Sequence, residues 1–250
     1  AYKGSISVIL TEGNITLGLM QELVPNQGDA WKFMLEEVDR IFENLSYRKI
    51  KIDKLPEVEL FSRLRLNEIP HEIIDWAGLK IFLRIRTMAT RTAEMHIALG
   101  SDIHETAFTP ITYNSDYSVW LKNRLTYQFQ NRLNILENNL HKLDGLALEL
   151  ANQFLDQKKN IRKIFLDFDW TKMKSERIRI HGDYHLGQVL VNGEDFFILD
   201  FEGEPESTIS DRKVKQPPLK DVAGIFRSFH YAIYANIFNN KDKYNYEQSE

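Results

Sequence analysis

The sequence predicts an α+β protein with a mainly helical body, and three observations carry that prediction. β-Branched runs, "SISVILTE" and "ITLGLMQELV", open the chain, and a second group of strand-like runs lies in "ERIRIHGDYHLGQVLVNGEDFFILDF". Between them, long segments repeat apolar residues at helical spacing. After a Pro- and Lys-rich loop, "LKDVAGIFRSFHYAIYANIF" returns to helix.

The first two runs read as a hairpin turning at Gly13-Asn14. A lone hairpin is marginal in water, so it should belong to a larger sheet. "PNQGDAWKFMLEEVDRIFENL" passes from turn residues into a helix, with Asp29 placed to cap its start. Residues 47–70 are weakly patterned and read as a connector. From Pro70 to Leu99 the spacing of Ile81, Ile85, Met88, Thr92, Met95 and Leu99 predicts one helix stopped by Gly100. Arg84, Arg86 and Arg91 are assigned to its solvated side. A second long helix is expected after Pro110, with Tyr117, Leu121, Leu125 and Phe129 on one stripe, and a third from about Asp144 to Lys159. "RIRI" alternates like a strand. "QVLV" and "DFFILDF" flank Asn192-Gly193, a strong hairpin signal, and Asp221 stands near the start of the last helix.

Composition narrows the function. Of 250 residues, 43% are hydrophobic and 27% charged, with a formal charge of -4 and no basic block, so neither nucleic acid nor an anionic membrane is the expected partner. The absence of cysteine excludes disulfides, thiol catalysis and cysteine zinc sites, and suits a reducing cytoplasm. "AYKGSISVIL" lacks the build of a signal peptide, and no apolar run reaches membrane length.

The chemistry concentrates in "HGDYHLGQVL". His181, Asp183 and His185 alternate, so on an extended backbone they share a face as metal ligands would. Zinc, however, needs three or four ligands, and His71, His96, His104, His141 and His230 show no paired spacing. Phosphoryl transfer fits better. If the hairpin loop is Asn192-Gly193 alone, Gln188 faces Phe197; if the loop is four residues, Gln188 faces Leu199. Either register leaves Gln188 near Asp200 at the open end, beside Asp183. One carboxylate orients an attacking hydroxyl and takes its proton, while a second carboxylate and an amide oxygen hold magnesium. Aspartate and amide stand five residues apart in "DYHLGQ", as in the protein-kinase catalytic loop, and "LDFEG" keeps an aspartate before phenylalanine. Alone, each piece is weak: H-G-D is a common turn, and an aspartate at a helix start is ordinarily a cap. Their order along the chain is what carries the reading.

The series "HGDYHLGQVL … ILDFEGEP … PLKDVAGIFRSFHYA" resembles bacterial maltokinases, kinase domains often fused to trehalose synthase. "LGLMQELVPNQGDAW" resembles the family's hinge, "RTAEMHIALGSD" its first large-lobe helix region, and "FTP" with the following helix its next segment; the similarity runs from about residue 15 to 238. The resemblance implies an aminoglycoside-phosphotransferase-like, protein-kinase-like fold. Residues 1–24 would be the end of the small-lobe sheet and the hinge. Residues 25–250 would be the helical large lobe, with a catalytic loop at 181–190 and a metal loop at 198–205. The implied reaction moves the γ-phosphate of ATP to the anomeric hydroxyl of maltose, giving maltose 1-phosphate for α-glucan synthesis. By motif match Asp183 would be the catalytic base, Gln188 and Asp200 would hold Mg²⁺, and the backbone of Glu22 and Val24 would meet adenine. His185, Glu204 and Arg212 would contact the sugar, and His181 and Asp221 would support the catalytic loop. Arg212 and Lys213 read equally as solvated loop charges.

The chain departs from that family in one respect. Neither a glycine-rich phosphate loop nor a strand lysine paired with a helix glutamate precedes "QELV", where Lys3 is the only lysine. The expectation is a fragment of a sugar kinase whose isolated chain transfers phosphate poorly. The competing expectations are a non-catalytic sugar-binding module, an accessory domain of a trehalose synthase, and a phosphotransferase for an aminoglycoside or amino alcohol.

Overall fold

A computed structural model describes residues 2–11, 13–48, 65–102, 104–240 and 243. The expected connector at 47–70 and the polar tail after Asn240 lie largely outside them. The chain divides into two units. The first comprises Ala1–Leu99, Ile180–Val214 and Pro218–Glu250; the second comprises Gly100–Arg179 and Lys215–Pro217.

In the first unit, strands β1 (Tyr2–Leu10) and β2 (Gly13–Gln21) pair antiparallel. Leu10 faces Gly13 and Ile9 faces Asn14, so the expected turn pair already belongs to the second strand. Helix α1 (Ala30–Arg48) follows a loop, and Asp29 Oδ1 accepts the Lys32 N–H at 2.8 Å, as a capping aspartate should. The single helix expected from Pro70 is two: α2 (His71–Ala77) and α3 (Leu79–Leu99), broken at Gly78, whose φ of 84° is left-handed.

The expected stripe of α3 is buried at Ile81, Met88, Thr92 and Met95, but Ile85 is exposed and Arg84 is buried instead. Of the three arginines assigned to the solvated side of α3, Arg86 is exposed and Arg91 half-buried, but Arg84 faces inward. The Arg84 guanidinium lies against the rings of Phe33 and Phe196, and its Nη2 donates to the Gly193 carbonyl at 2.5 Å. Arg91 makes two 2.8 Å hydrogen bonds to the Asp195 carboxylate.

In the second unit, β3 (Ile111–Thr112) precedes α4 (Ser115–Asn139), which is capped by Asn114 accepting from Tyr117 N. The third expected helix is α5 (Gly145–Asp156), and a further helix, α6 (Lys158–Asp167), follows it where none was expected. The rings of Phe129, Phe154 and Phe165 join these three helices. Of "RIRI" only Arg177 belongs to a strand, β4 (Glu176–Arg177), which pairs with β3, while Ile178 forms a single bridge to Gln216. The Arg177 guanidinium covers the Tyr117 ring, and burial pushes the Tyr117 phenol up to about 12.

The chain re-enters the first unit at Ile180. Strands β5 (Val189–Asn192) and β6 (Asp195–Ile198) form the second hairpin, then come α7 (Ile209–Arg212) and α8 (Leu219–Asn239). Ala30, Met34 and Val38 of α1, Ile81 and Met88 of α3, Val189, Val191 and Phe196 of the hairpin, and Ile225 and Ala232 of α8 share one core. Leu186 and Val189 are fully buried, each worth roughly 1.5–3 kcal/mol. No helix among the described residues is long and apolar enough to cross a membrane.

Candidate active site

Along residues 181–190, His181, Tyr184, Leu186 and Val189 are buried. Tyr184 and Leu186 are buried in the core, leaving Asp183 and His185 at the rim of a cavity. The Tyr184 hydroxyl and Thr92 Oγ1 stand 2.8 Å apart in α3, and the Leu186 N–H donates to Ser228 Oγ in α8 at 3.0 Å. Burial holds the Tyr184 phenol above its ordinary value. Gly224 lets α8 approach the loop backbone directly: a Cβ there would lie 2.7 Å from the Tyr184 carbonyl oxygen.

Asp221, in the first turn of α8, is 1% exposed. Its carboxylate accepts from the backbone N–H of His181 and of Gly182, both at 2.9 Å, and lies 2.9 Å from His96 Nε2. A buried carboxylate is costly unless so satisfied, and here the compensating donors belong to the loop itself. The His181 ring spans the site. Its Nδ1 accepts the Asp183 N–H at 3.3 Å, which leaves Nε2 to donate to the Leu199 carbonyl at 2.8 Å. Phe201 covers the same ring, centroid to centroid 5.0 Å.

The hairpin turns at Gly193-Glu194, one residue later than expected, and Asn192 faces Asp195, which gives the register that places Gln188 opposite Leu199. Val191 faces Phe196, and the Leu199 N–H donates to the Gln188 carbonyl at 2.9 Å. This brings Gln188 Nε2 within 2.9 Å of Asp200 Oδ2. Asp200 has φ 62°, the only left-handed non-glycine residue among those described, and such a backbone costs roughly 1–2 kcal/mol. The strain falls on one of the two residues singled out for the metal. Both offer side-chain oxygens, the donors magnesium takes. Rotating the Gln188 amide by half a turn would present Oε1 in place of Nε2. Among the described residues, no group of three or more His, Asp or Glu is arranged to hold a metal, so the alternating histidines form no zinc site.

The other expected residues fall as follows. His185 borders the cavity with its Nε2 3.8 Å from Asp183 Oδ2, and its Nδ1 accepts the Gly187 N–H. Glu204 accepts from Ser207 Oγ at 3.1 Å. Arg212 donates to the Ser207 and Pro205 carbonyls at 3.0 and 2.8 Å, so both are engaged within their own loop and neither borders the cavity. That loop meets the catalytic loop at Gly182 and Gly203, where a Cβ on Gly182 would lie 3.2 Å from the Gly203 Cα. In the segment expected to be the hinge, Glu22 pairs with Lys3 at 3.5 Å, and the Val24 carbonyl accepts from Asn26 Nδ2 at 2.9 Å.

The cavity beside Asp183 has a volume of about 520 Å³, within the range of small-molecule sites. Trp31, Lys220, Arg227 and Tyr231 also line it, none of which the motif reading singled out. Their signal was the stripe 220, 224, 227, 231 on α8, visible only once Gly224 identifies the face that meets the loop. A larger apolar cavity of about 710 Å³ between α1, α2, α3 and α8 contains none of the candidate catalytic side chains.

No family model matches the chain. Over 65 residues it is 32% identical to a glucosamine kinase from Streptacidiphilus jiangxiensis, a match spanning 26% of this chain and 15% of that protein. In three dimensions it is similar to glucosamine kinase in complex with glucosamine, ADP and inorganic phosphate, with TM-score 0.61 and 18% identity over 90% of this chain and 45% of that one. Crystal form B of glucosamine kinase gives TM-score 0.62 at 18% identity, over 95% of this chain and 46% of that one. The chain thus spans less than half the length of these kinases. At such identity the likeness is one of fold: a helix-rich body with small antiparallel sheets, shared with glucosamine kinase.

Proposed function

We propose that this chain is part of an ATP-dependent sugar kinase and carries its catalytic loop. The observation that carries the reading is the Gln188–Asp200 contact across the open end of a buried hairpin, on a loop whose backbone is gripped by Asp221. Asp183 acts as general base. It takes the proton of a sugar hydroxyl as that oxygen bonds to the γ-phosphorus and the bond to the ADP oxygen breaks. Gln188 and Asp200 would hold Mg²⁺, which would supply charge neutralisation at the phosphates. The backbone of Glu22 and Val24 meets adenine, His181 and Asp221 keep the loop in place, and His185 is positioned for the acceptor. Glu204 and Arg212 serve first to fold the metal loop.

The relatives described above favour an amino-hexose acceptor over maltose, since each is named glucosamine kinase. Maltose, with an associated trehalose synthase, remains the reading of the motif resemblance. Use of ATP assigns the work to the cytoplasm. The test is phosphorylation of glucosamine, maltose and glucose by the full-length protein with Mg-ATP. We expect transfer to at least one of them, and an Asp183→Asn variant that keeps its fold but loses at least about a hundredfold in kcat. Near-normal turnover by that variant would remove Asp183 as the base. No transfer to any sugar would favour a binding module.

A further inference from the structure

We infer that Trp31 and the Arg227–Tyr231 pair form the acceptor subsite, a pocket shaped for the ring of a pyranose sugar. The inference rests on the kinase reading, because it places the acceptor in the cavity that Asp183 borders. Three observations carry it.

First, the cavity has two different walls. The start of α1 supplies Trp31, which is partly buried against the core and so held by its surroundings. Helix α8 supplies Lys220, Arg227 and Tyr231 along the face that meets the loop.

Second, the Arg227 guanidinium is pre-positioned. Its Cζ lies 4.3 Å from the Tyr231 ring centroid, and its Nη1 donates to His230 Nδ1 at 2.7 Å. A planar fork stacked on an aromatic ring presents its remaining N–H groups edge-on, suited to the hydroxyl oxygens of a rigid polyol. Third, the hydrogen bonds of Lys220 and Arg227 go to a carbonyl and an imidazole rather than to a carboxylate. Both cations stay available to oxygen-rich groups. Lys220 Nζ lies 3.4 Å from the Gly182 carbonyl, one residue before the base, at the end of the pocket where phosphate arrives.

A sugar suits these walls. The C–H face of a pyranose stacks on an indole, and its ring hydroxyls accept from a guanidinium. An ammonium group finds no welcome beside Arg227. An amino-hexose must therefore turn its nitrogen toward the other wall, where Asp29 borders the cavity.

The experiment measures acceptor and ATP KM values separately, with glucosamine and maltose as probes, in the full-length protein and in Trp31→Ala and Arg227→Gln variants. Each variant should raise the KM of the accepted sugar by about tenfold or more while leaving the KM of ATP within about twofold. Trp31→Phe should restore most of the affinity, and Arg227→Lys should not, because an ammonium cannot stack and fork together. Should a variant fail to fold, titration of the unaltered protein with sugar must shift the Trp31 indole N–H resonance, assigned by its absence from Trp31→Phe. Sugar KM values unchanged in both variants, or an unmoved Trp31 resonance at saturating sugar, overturn the subsite while sugar kinase activity stands. A protein that neither binds nor phosphorylates a sugar overturns the kinase reading and the subsite with it.

Discussion

The two hairpins of the first unit are similar in composition and opposite in surroundings. In β1–β2, Ile6, Ile9, Leu17 and Leu19 are all well over half exposed. In β5–β6, Val189, Val191 and Phe196 are buried, and α3 holds the turn through Arg84 and Arg91. The loop before α1 adds a third attachment, with Gln27 N–H donating to the Val191 carbonyl and Gly193 N–H donating to Gln27 Oε1, both at 2.8 Å. A two-stranded hairpin is marginal by itself, so rigidity comes from what covers it. The candidate metal residues stand on the covered one.

The difference can be broken most directly in the core. Phe196→Ala, at 2% exposure and in edge contact with Phe33, should cost about 3–5 kcal/mol, while Ile9→Ala at 81% exposure should stay within about 0.5 kcal/mol. Denaturant unfolding of both variants measures this. Equal effects would mean that the hairpins are covered alike.

A smaller effect is expected at Gly224. Alanine in a helix normally gains about 1 kcal/mol over glycine, but here its Cβ would meet the Tyr184 carbonyl oxygen at 2.7 Å. Pushing α8 off the loop that feeds β5 should reverse the sign and cost about 1–3 kcal/mol, with a larger loss in turnover than in sugar or ATP affinity. A stabilised, fully active Gly224→Ala variant would show that the loop tolerates displacement.

The smallest effect concerns the ion pair at the turn. Arg91, followed by the Phe196 N–H, holds the Asp195 carboxyl below its usual range. Both partners are more than a third exposed, so Asp195→Asn should cost only about 0.5–1 kcal/mol near neutrality. With the folded-state value depressed, this contribution is complete above the unfolded-state value and is lost as pH falls through the folded one. The stability difference between the variant and the parent should therefore close on acidification, and a difference constant down to strongly acid pH would dissociate it from this carboxylate.

Local chemistry was legible in the sequence wherever one short segment decides the outcome. Asp29 caps α1 because capping needs only its own first turn, and the spacing of Asp183, Gln188 and Asp200 was readable because a hairpin joins them. Legibility failed where partners are distant. Arg84 reads as a solvated charge until Gly193, 109 residues away, supplies its acceptor and two phenylalanines its cover. The helix break at Gly78 interrupts a stretch whose periodicity continues across it. Both turn signals were real but displaced: Gly13 and Asn14 sit in a strand, and Asn192 faces Asp195 across the second turn. A turn dipeptide marks the neighbourhood of a reversal, and the covering residues choose the register.

The His181 ring acts as a spacer of fixed length. One nitrogen holds the backbone of Asp183 and the other holds the residue before Asp200, so a single flat ring sets how far apart these two residues can stand. It does so only with one proton aboard.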